Sequence, residues 1–232
     1  QLASDAAMLG IDPADQREMM VASLEAMIDL FAGKTVTKDA GWFKLCEARL
    51  QLLPYQDPCM EIAVACAITP NGPVTAGRLG AAMLSVAASS GPGFAALPDH
   101  WRICEEAAAE AGQTVHRDSW RVVVPIHVAE TREQALADVS AGIMDNVVSY
   151  ARRIGGKKVH PSVTEAQTGE QAAKAWSRNT WGTFGTLTYG TPEDVAQRIE
   201  SMIEQSGGFG SFLILAHNAA GWEATQKSYD LF

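Results

Sequence analysis

Short apolar runs alternate with amphipathic segments along this chain, and this alternation constrains its fold more than any other feature. Near-continuous apolar runs of strand length occur at residues 60–67, 82–88, 120–129 and 211–217. Such runs indicate strands that are covered on both faces. A helical pattern follows each run after a short return, so the strands are predicted to be parallel and joined by right-handed crossovers.

Four strand–helix units, preceded by a helix without its own strand, predict an α/β fold: the later half to two-thirds of a (β/α)8 TIM barrel. A doubly wound sheet is the alternative, although the sequence lacks its G-x-G-x-x-G turn. Residues 1–232 are predicted to form one partial barrel domain, with a lid or insertion at residues 152–189. The basic, glycine-rich residues 152–158 are either a solvated surface or a mobile lid. The chain opens at Gln1 and stops at Phe232 inside a helical pattern, so we expect both ends to be cut.

Charge and composition argue against several classes of protein. The 18 basic and 27 acidic residues leave a net charge of −9, whereas a nucleic-acid binder needs a basic surface. The four cysteines form no C-x-x-C pair and are predicted to be reduced, as in a cytoplasmic protein. Residues 1–15 show no signal-peptide pattern. Residues 79–98 carry no charge but are rich in alanine, serine and glycine, so no membrane partner is predicted.

A small, polar segment follows the first apolar run, directly before a helical pattern. Its sequence, from Cys66 to Pro73, is CAITPNGP. In a barrel, functional groups collect at the carboxyl ends of the strands. Backbone N–H groups at a helix N-terminus, with the Thr69 hydroxyl and the Asn71 amide, are suited to hold a phosphate without a cationic side chain. The alternative is an ordinary strand-to-helix turn, which also favours asparagine and glycine.

Further candidates lie at the ends of the later strands. Ser85 either faces the mouth of the barrel, where it could contact a ligand, or is a small packing residue where the barrel narrows. His127 and His217 end the third and fourth runs, and Asn218 follows. Each histidine either contacts a ligand and transfers protons or is a hydrogen-bonded structural residue. The five histidines of the chain are scattered without metal-ligand spacing, so no metal site is predicted.

Five segments, in order along the chain, resemble motifs of one enzyme family. TYGTPEDVAQRI, which begins at Thr188, is similar to the family's G-T-P-E-x-V-x-x-x-I segment. The strand and phosphate loop AVACAITPNGP begins at Ala63, and HVAETRE begins at His127. The other two are SDAAMLGID from Ser4 and GFGSF from Gly208. The chain thereby resembles the bacterial-luciferase-like flavin oxidoreductases, in the branch of limonene and long-chain alkane monooxygenases.

The resemblance implies a barrel that binds reduced flavin, usually FMN, at the carboxyl ends of its strands; FAD or a deazaflavin are alternatives. It implies an enzyme that uses O2 to oxygenate an apolar organic substrate, such as a terpenoid or an alkane. A separate flavin reductase commonly supplies the reduced flavin, and relatives commonly form homodimers. Carried over residue by residue, the contacts to the flavin phosphate fall on Ala65, Cys66, Ala67, Thr69, Asn71 and Gly72. The flavin ring or substrate would lie near Ser85, His127, His217 and Asn218.

The resemblance is incomplete in two respects. Cys66 stands where relatives often carry a serine or an acidic residue, which preserves a backbone contact to the phosphate but removes a hydroxyl contact. The first strands of relatives, with further flavin contacts, would precede residue 1, so no catalytic residue is assigned and the chain alone is not expected to be fully active. Three functions stay open: an FMN-dependent monooxygenase, a deazaflavin-dependent dehydrogenase or reductase, and a non-catalytic relative that binds flavin or nothing.

Overall fold

The computed structural model describes residues 3–57, 59–155, 160–178 and 185–232. The chain divides into two compact units, Gln1–Ile62 and Ala63–Phe232. The organisation of residues 1–232 as one partial barrel domain stays a prediction. Part of the predicted lid, including Lys157 and Trp181, lies outside the described residues.

The first unit contains two helices and a hairpin. Its helices are α1 (Ala3–Met8) and α2 (Gln16–Phe31), and its antiparallel strands are β1 (Val36–Asp39) and β2 (Lys44–Ala48). The Asp12-Pro13 sequence predicts a helix with Pro13 at its first position, but α2 begins one turn later, at Gln16. The Asp12 carboxylate accepts from the Ala14 N–H at 2.8 Å, which forms a separate turn before the helix.

The second unit is built on a parallel sheet. Its strands are β3 (Ala63–Cys66), β4 (Ala82–Ser85), β5 (Arg121–Val128), β6 (Thr188–Gly190) and β7 (Ser211–Leu215). Every strand pair in this sheet is parallel: β3 with β4, and β5 with each of β4, β6 and β7. The predicted parallel α/β architecture is confirmed. Parallel pairing brings the carboxyl ends of all five strands to one edge of the sheet, and the predicted site residues lie there.

Strand β5 tolerates an internal proline because its partner changes there. Pairing with β7 ends at Pro125 and Leu215, and pairing with β6 begins at the next residue, Ile126. Pro125 has no N–H, and the position at which one ladder stops and another starts is one where a missing donor costs little.

The helices of the second unit are α3 (Asn71–Leu79), α4 (Gly91–Glu110), α5 (Arg132–Ile143), α6 (Pro161–Thr164), α7 (Gly169–Arg178), α8 (Pro192–Ser206) and α9 (Trp222–Leu231). The sequence predicts five of these helices but not α6 and α7. Thr191 begins α8 through a capping box with Asp194, as its TPED sequence predicted. The sequence predicts an irregular region from the end of the basic stretch 152–158 to Tyr189, but the described part of this region contains α6 and α7. Two π-helical segments, Met144–Val148 and Ala151–Gly155, continue from α5.

Helix α3 packs closely on α4 because a glycine lies at the contact. A Cβ at Gly77 would lie 2.2 Å from the Cys104 carbonyl oxygen, so only glycine allows this separation. Among the described residues, no helix is long and apolar enough to cross a bilayer.

Candidate cofactor site

The loop between β3 and α3 lies at the carboxyl edge of the sheet, and its two ends are fixed by backbone contacts. The Cys66 carbonyl accepts from the Val86 N–H at 2.9 Å, which anchors the end of β3. At the other end, a Cβ on Gly72 would lie 2.8 Å from the Cys66 sulfur and 3.0 Å from the Ala65 carbonyl oxygen. Glycine at position 72 therefore lets the first turn of α3 lie directly against the end of β3.

The N-terminus of α3 presents neutral hydrogen-bond donors. Pro70 precedes the helix, and no side chain caps its first turn. The Asn71 side-chain amide donates to the Thr69 hydroxyl at 3.3 Å. A hydroxyl that accepts such a bond still has its own hydrogen to donate. The first-turn N–H groups and the Thr69 hydroxyl thus form a donor set at the positive end of a helix dipole.

The side chains of β3 point alternately to two faces that differ in burial. Val64 and Cys66 are buried, whereas Ala63 and Ala65 are exposed. The Cys66 thiol donates to the Val64 carbonyl at 3.3 Å, and burial is the main cause that raises its pKa to about 12. Cys66 is therefore a neutral thiol that faces the helices, and any contact it makes at the loop is through its backbone.

Ser85 lies on the same helix-covered face. It is in register with Cys66 on β3 and with Val122 on β5. Its hydroxyl accepts from the Trp120 indole N–H at 2.9 Å, and Trp120 stacks on Trp101 of α4 with ring centroids 5.8 Å apart. This geometry supports the packing alternative for Ser85, and its place near a flavin ring stays a prediction.

His127 lies near the end of β5 and faces helix α5. The imidazole is only 1% exposed, and its Nε2 lies 3.1 Å from a carboxylate oxygen of Asp138 on α5. The other carboxylate oxygen of Asp138 accepts from the Gln134 side chain at 2.6 Å. Because the carboxylate accepts, Nε2 of His127 is the donor in this contact. Its Nδ1 is buried, with no partner among the residues that the structure describes.

His217 is held by two backbone groups. Its Nε2 lies 3.0 Å from the Ile126 carbonyl oxygen, and its Nδ1 accepts from the Ala219 N–H at 3.2 Å. Ile126 lies just beyond the point where β7 ceases to pair with β5. The His217 imidazole therefore binds a carbonyl of β5 that β7 no longer reaches. Burial, opposed by the Ile126 bond and reinforced by nearby His127, lowers the pKa of His217 to about 4. The ring is therefore neutral at pH 7.

The structure brings the predicted site residues together in two groups at the same edge. One group is the β3–α3 loop, where Ala67 is half-buried and Thr69 is exposed. The other is the pair of His127 and His217, whose ring centroids are 5.8 Å apart. The exposed Asn218 follows, and its backbone packs against Gly142 of α5. The assignment of both groups to a cofactor stays a prediction.

Sequence reasoning missed two residues that contact these groups. Asp138 supports His127, but the two lie on a strand and a helix whose approach no local pattern reveals. His100 of α4 is buried next to Ile68 of the loop. The apolar spacing of Leu97, Trp101 and Cys104 would have indicated that His100 lies on the buried face of its helix. Within the described part of the chain, no cluster of residues is suited to hold a metal ion.

Comparison with known proteins identifies the family. The model of the luciferase-like monooxygenase family matches residues 2–208. The chain belongs to the luciferase-like monooxygenase family. It is 40% identical over 232 residues to limonene 1,2-monooxygenase from Rhodococcus erythropolis, and 36% identical over 232 residues to 4-hydroxyprotoasukamycin monooxygenase from Streptomyces nodosus subsp. asukaensis. These alignments cover 100% and 99% of this chain, but 56% and 60% of the two relatives.

Solved structures show the same luciferase-like barrel fold. A monooxygenase from Streptomyces bottropensis matches with a TM-score of 0.71 and 19% identity, over 100% of this chain and 64% of that protein. The oxygenating constituent of 3,6-diketocamphane monooxygenase from Pseudomonas putida, solved with FMN, matches with a TM-score of 0.64 and 20% identity, over 100% of this chain and 66% of its own. An F420-dependent secondary alcohol dehydrogenase matches with a TM-score of 0.65 and 19% identity, over 98% of this chain and 63% of its own. The predicted barrel-type α/β fold is thereby confirmed.

Proposed function

We propose that this chain belongs to a flavin-dependent monooxygenase that binds reduced FMN and oxygenates an apolar organic substrate. The observation that carries the proposal is the N-terminus of α3, which has no side-chain cap and lies directly against the end of β3. The named relatives, limonene 1,2-monooxygenase among them, support the reaction class and the apolar substrate.

The donor set at this helix end fits a phosphate. A phosphate group needs several N–H or O–H donors directed to one point, and a helix N-terminus adds a favourable dipole. The first-turn N–H groups of α3 and the Thr69 hydroxyl meet both needs. The Asn71 side chain orients the Thr69 oxygen by donating to it. These donors are neutral, so the site binds phosphate by hydrogen bonds and the dipole.

The exposed end of β3 suits a planar ring. Ala65 carries only a methyl group there and is exposed at the end of β3. His127 lies near the end of β5 and is covered by α5 through Asp138. We place the ring system of the flavin beside Ala65. When bound, reduced FMN would supply the electrons with which O2 is activated.

The residues of this chain would hold and orient the flavin and would shield the reacting centre from water. The α3 N-terminus fixes the phosphate end, and Ala65 leaves room for the ring. His127 donates from Nε2 to Asp138, and His217 stays neutral between two backbone groups. Trp176 of α7 approaches the His217 ring edge to face, with centroids 6.5 Å apart. Together these three rings would help to exclude water from the reacting centre.

A titration that compares FMN with riboflavin tests the proposal, because the two ligands differ only in the phosphate. Binding is measured with the intact chain by the quenching of flavin fluorescence. We expect FMN to bind at least ten-fold more tightly, because hydrogen bonds to a charged group are worth roughly 1.5–3 kcal/mol. Equal affinities for FMN and riboflavin would refute the phosphate assignment.

Asn71→Asp is expected to reduce the affinity for FMN about ten-fold. A unit charge roughly 6 Å from the phosphate costs about 1.4 kcal/mol at an effective dielectric constant of roughly 40. Riboflavin binding should not change. Asn146→Asp adds the same charge at an exposed position in the π-helical segment after α5 and serves as the matched control.

The catalytic part of the proposal needs a separate assay. We expect oxygen uptake and product formation when a flavin reductase, proposed as the partner, supplies reduced FMN to a protein that contains the complete barrel. Reduction of a deazaflavin without oxygen uptake would instead favour the dehydrogenase alternative, for which the fold match to an F420-dependent enzyme is the supporting observation. A homodimer is proposed on the resemblance to the family alone.

A further inference from the structure

Helix α4 presents a buried histidine to the backbone of the β3–α3 loop. His100 is 1% exposed, and its Nε2 lies 3.4 Å from the Ile68 carbonyl oxygen. A carbonyl only accepts, so Nε2 carries the hydrogen of this imidazole. The distance is at the long end of the hydrogen-bonding range, and a small shift of the loop would therefore break the bond.

The bond to Ile68 is the hydrogen bond that the structure shows for the His100 ring. Nδ1 of His100 is buried and has no hydrogen-bond partner among the described residues. Burial lowers the pKa of His100, opposed by the Ile68 bond and by nearby Asp99. The ring is therefore neutral at pH 7. Its Nδ1 is a buried acceptor without a partner among the described residues, which is energetically unfavourable, while its N–H points to the loop.

The loop depends on such support at its middle. Ile68, Thr69 and Pro70 are exposed, so packing does not determine their path. Backbone contacts fix the loop at Cys66 on one side and at Gly72 on the other. The His100 bond acts on the stretch between these two anchors, immediately before the Thr69 hydroxyl.

Helix α4 is a rigid base for this contact. The close approach of Gly77 to the Cys104 carbonyl sets the distance between α3 and α4. Cys104 lies one turn after His100 on the same buried face, with Leu97 one turn before it. The position of the imidazole relative to α3 is therefore set by helix packing.

We propose that His100 is a positioning residue for the cofactor phosphate. By holding the Ile68 carbonyl, it sets the path of the loop and so directs the Thr69 hydroxyl and the first-turn N–H groups of α3 at the phosphate. His100 contacts the loop and not the cofactor. This inference rests on the proposed function, since it assumes that the loop binds the FMN phosphate.

The test measures the affinity ratio of FMN to riboflavin in variants of the intact chain. His100→Leu keeps an apolar side chain but has no donor, and the ratio should fall about five-fold, as expected for the loss of a net hydrogen bond of roughly 1 kcal/mol. His100→Gln retains an N–H at similar reach and should keep the ratio within two-fold. Leu97→Met changes the buried face of the same helix without a donor and is the matched control.

The outcomes separate the two proposals. If the unaltered chain shows no preference for FMN, the proposed function fails. If the chain prefers FMN but His100→Leu keeps that preference, or weakens FMN and riboflavin equally, the positioning role is overturned. If His100→Leu does not fold, as judged by circular dichroism, His100→Asn replaces it. The shorter asparagine amide does not reach Ile68, so the comparison with His100→Gln gives the same decision.

Discussion

His217 gives the sharpest prediction about stability, because its protonation is tied to the end of strand β7. The neutral ring donates from Nε2 to the Ile126 carbonyl and accepts at Nδ1 from the Ala219 N–H. Protonation at Nδ1 would turn that acceptor into a donor facing another donor, inside a buried cluster beside His127. We therefore replace His217 by glutamine and follow stability as a function of pH.

The magnitude follows from the difference in pKa between the folded and unfolded states. The pKa of His217 is lowered to about 4 in the folded chain from its ordinary value of 6.5. The unfolded state binds the proton first, so the stabilisation is complete above pH 6.5 and is lost as the pH falls towards 4. The full difference is worth about 3 kcal/mol, of which about 2 kcal/mol is lost between pH 7 and pH 5.

Urea unfolding followed by tryptophan fluorescence at pH 7, 6 and 5 measures this loss. The difference in unfolding free energy between the unaltered chain and His217→Gln should shrink by about 2 kcal/mol from pH 7 to pH 5, because glutamine does not titrate. His116→Gln, at an exposed histidine, is the matched control and should keep the pH dependence of the unaltered chain. A His217→Gln variant with the same pH dependence as the unaltered chain would refute the burial and tautomer assigned to this ring.

Two further predictions concern packing. In urea unfolding, Gly77→Ala should lower the unfolding free energy by about 2–3 kcal/mol, because its Cβ would lie 2.2 Å from the Cys104 carbonyl oxygen. Gly91→Ala is the control: a Cβ there meets nothing within 4 Å, so the unfolding free energy should not change. Arg117→Ala should cost about 2 kcal/mol in the same assay, because Arg117 donates to the Ser206 and Gly208 carbonyls at 2.9 Å and its guanidinium carbon lies 4.7 Å from the Trp101 ring centroid. Arg117→Lys should recover only part of this loss, whereas Arg102→Ala, which removes an exposed salt bridge, should change stability little.

Local signals in the sequence were sufficient for some helix starts and misleading for others. Thr191 and Thr131 both accept from the N–H three residues later, as their sequences predicted. The amphipathic pattern of residues 98–112 predicts a helix that begins at Pro98, but α4 begins at Gly91, where Ser90 accepts from the Gly93 N–H. The SSGPG sequence is typical of a loop, and the N-terminal cap within it depends on tight packing of Gly93 against the Ala87 carbonyl.

The contacts that define the site are mostly long-range, and this limits what a sequence predicts. The residues of the β3–α3 loop are adjacent in the chain, so their grouping followed from a short motif. His100 meets Ile68 across 32 residues, and His217 meets Ile126 across 91. These approaches result from the packing of helices and strands, which the spacing of residues along the chain does not encode.

The most direct test of the central claim is the response of individual backbone amides to the phosphate. In 15N-labelled protein, the amide resonances of Thr69 and Gly72 should shift when FMN is added, and riboflavin at the same saturation should leave them in place. The amide of Ala219, which donates to His217, should not distinguish the two ligands. Equal shifts at Thr69 and Gly72 with both flavins, or no shift with either, would contradict the assignment of the α3 N-terminus as the phosphate site.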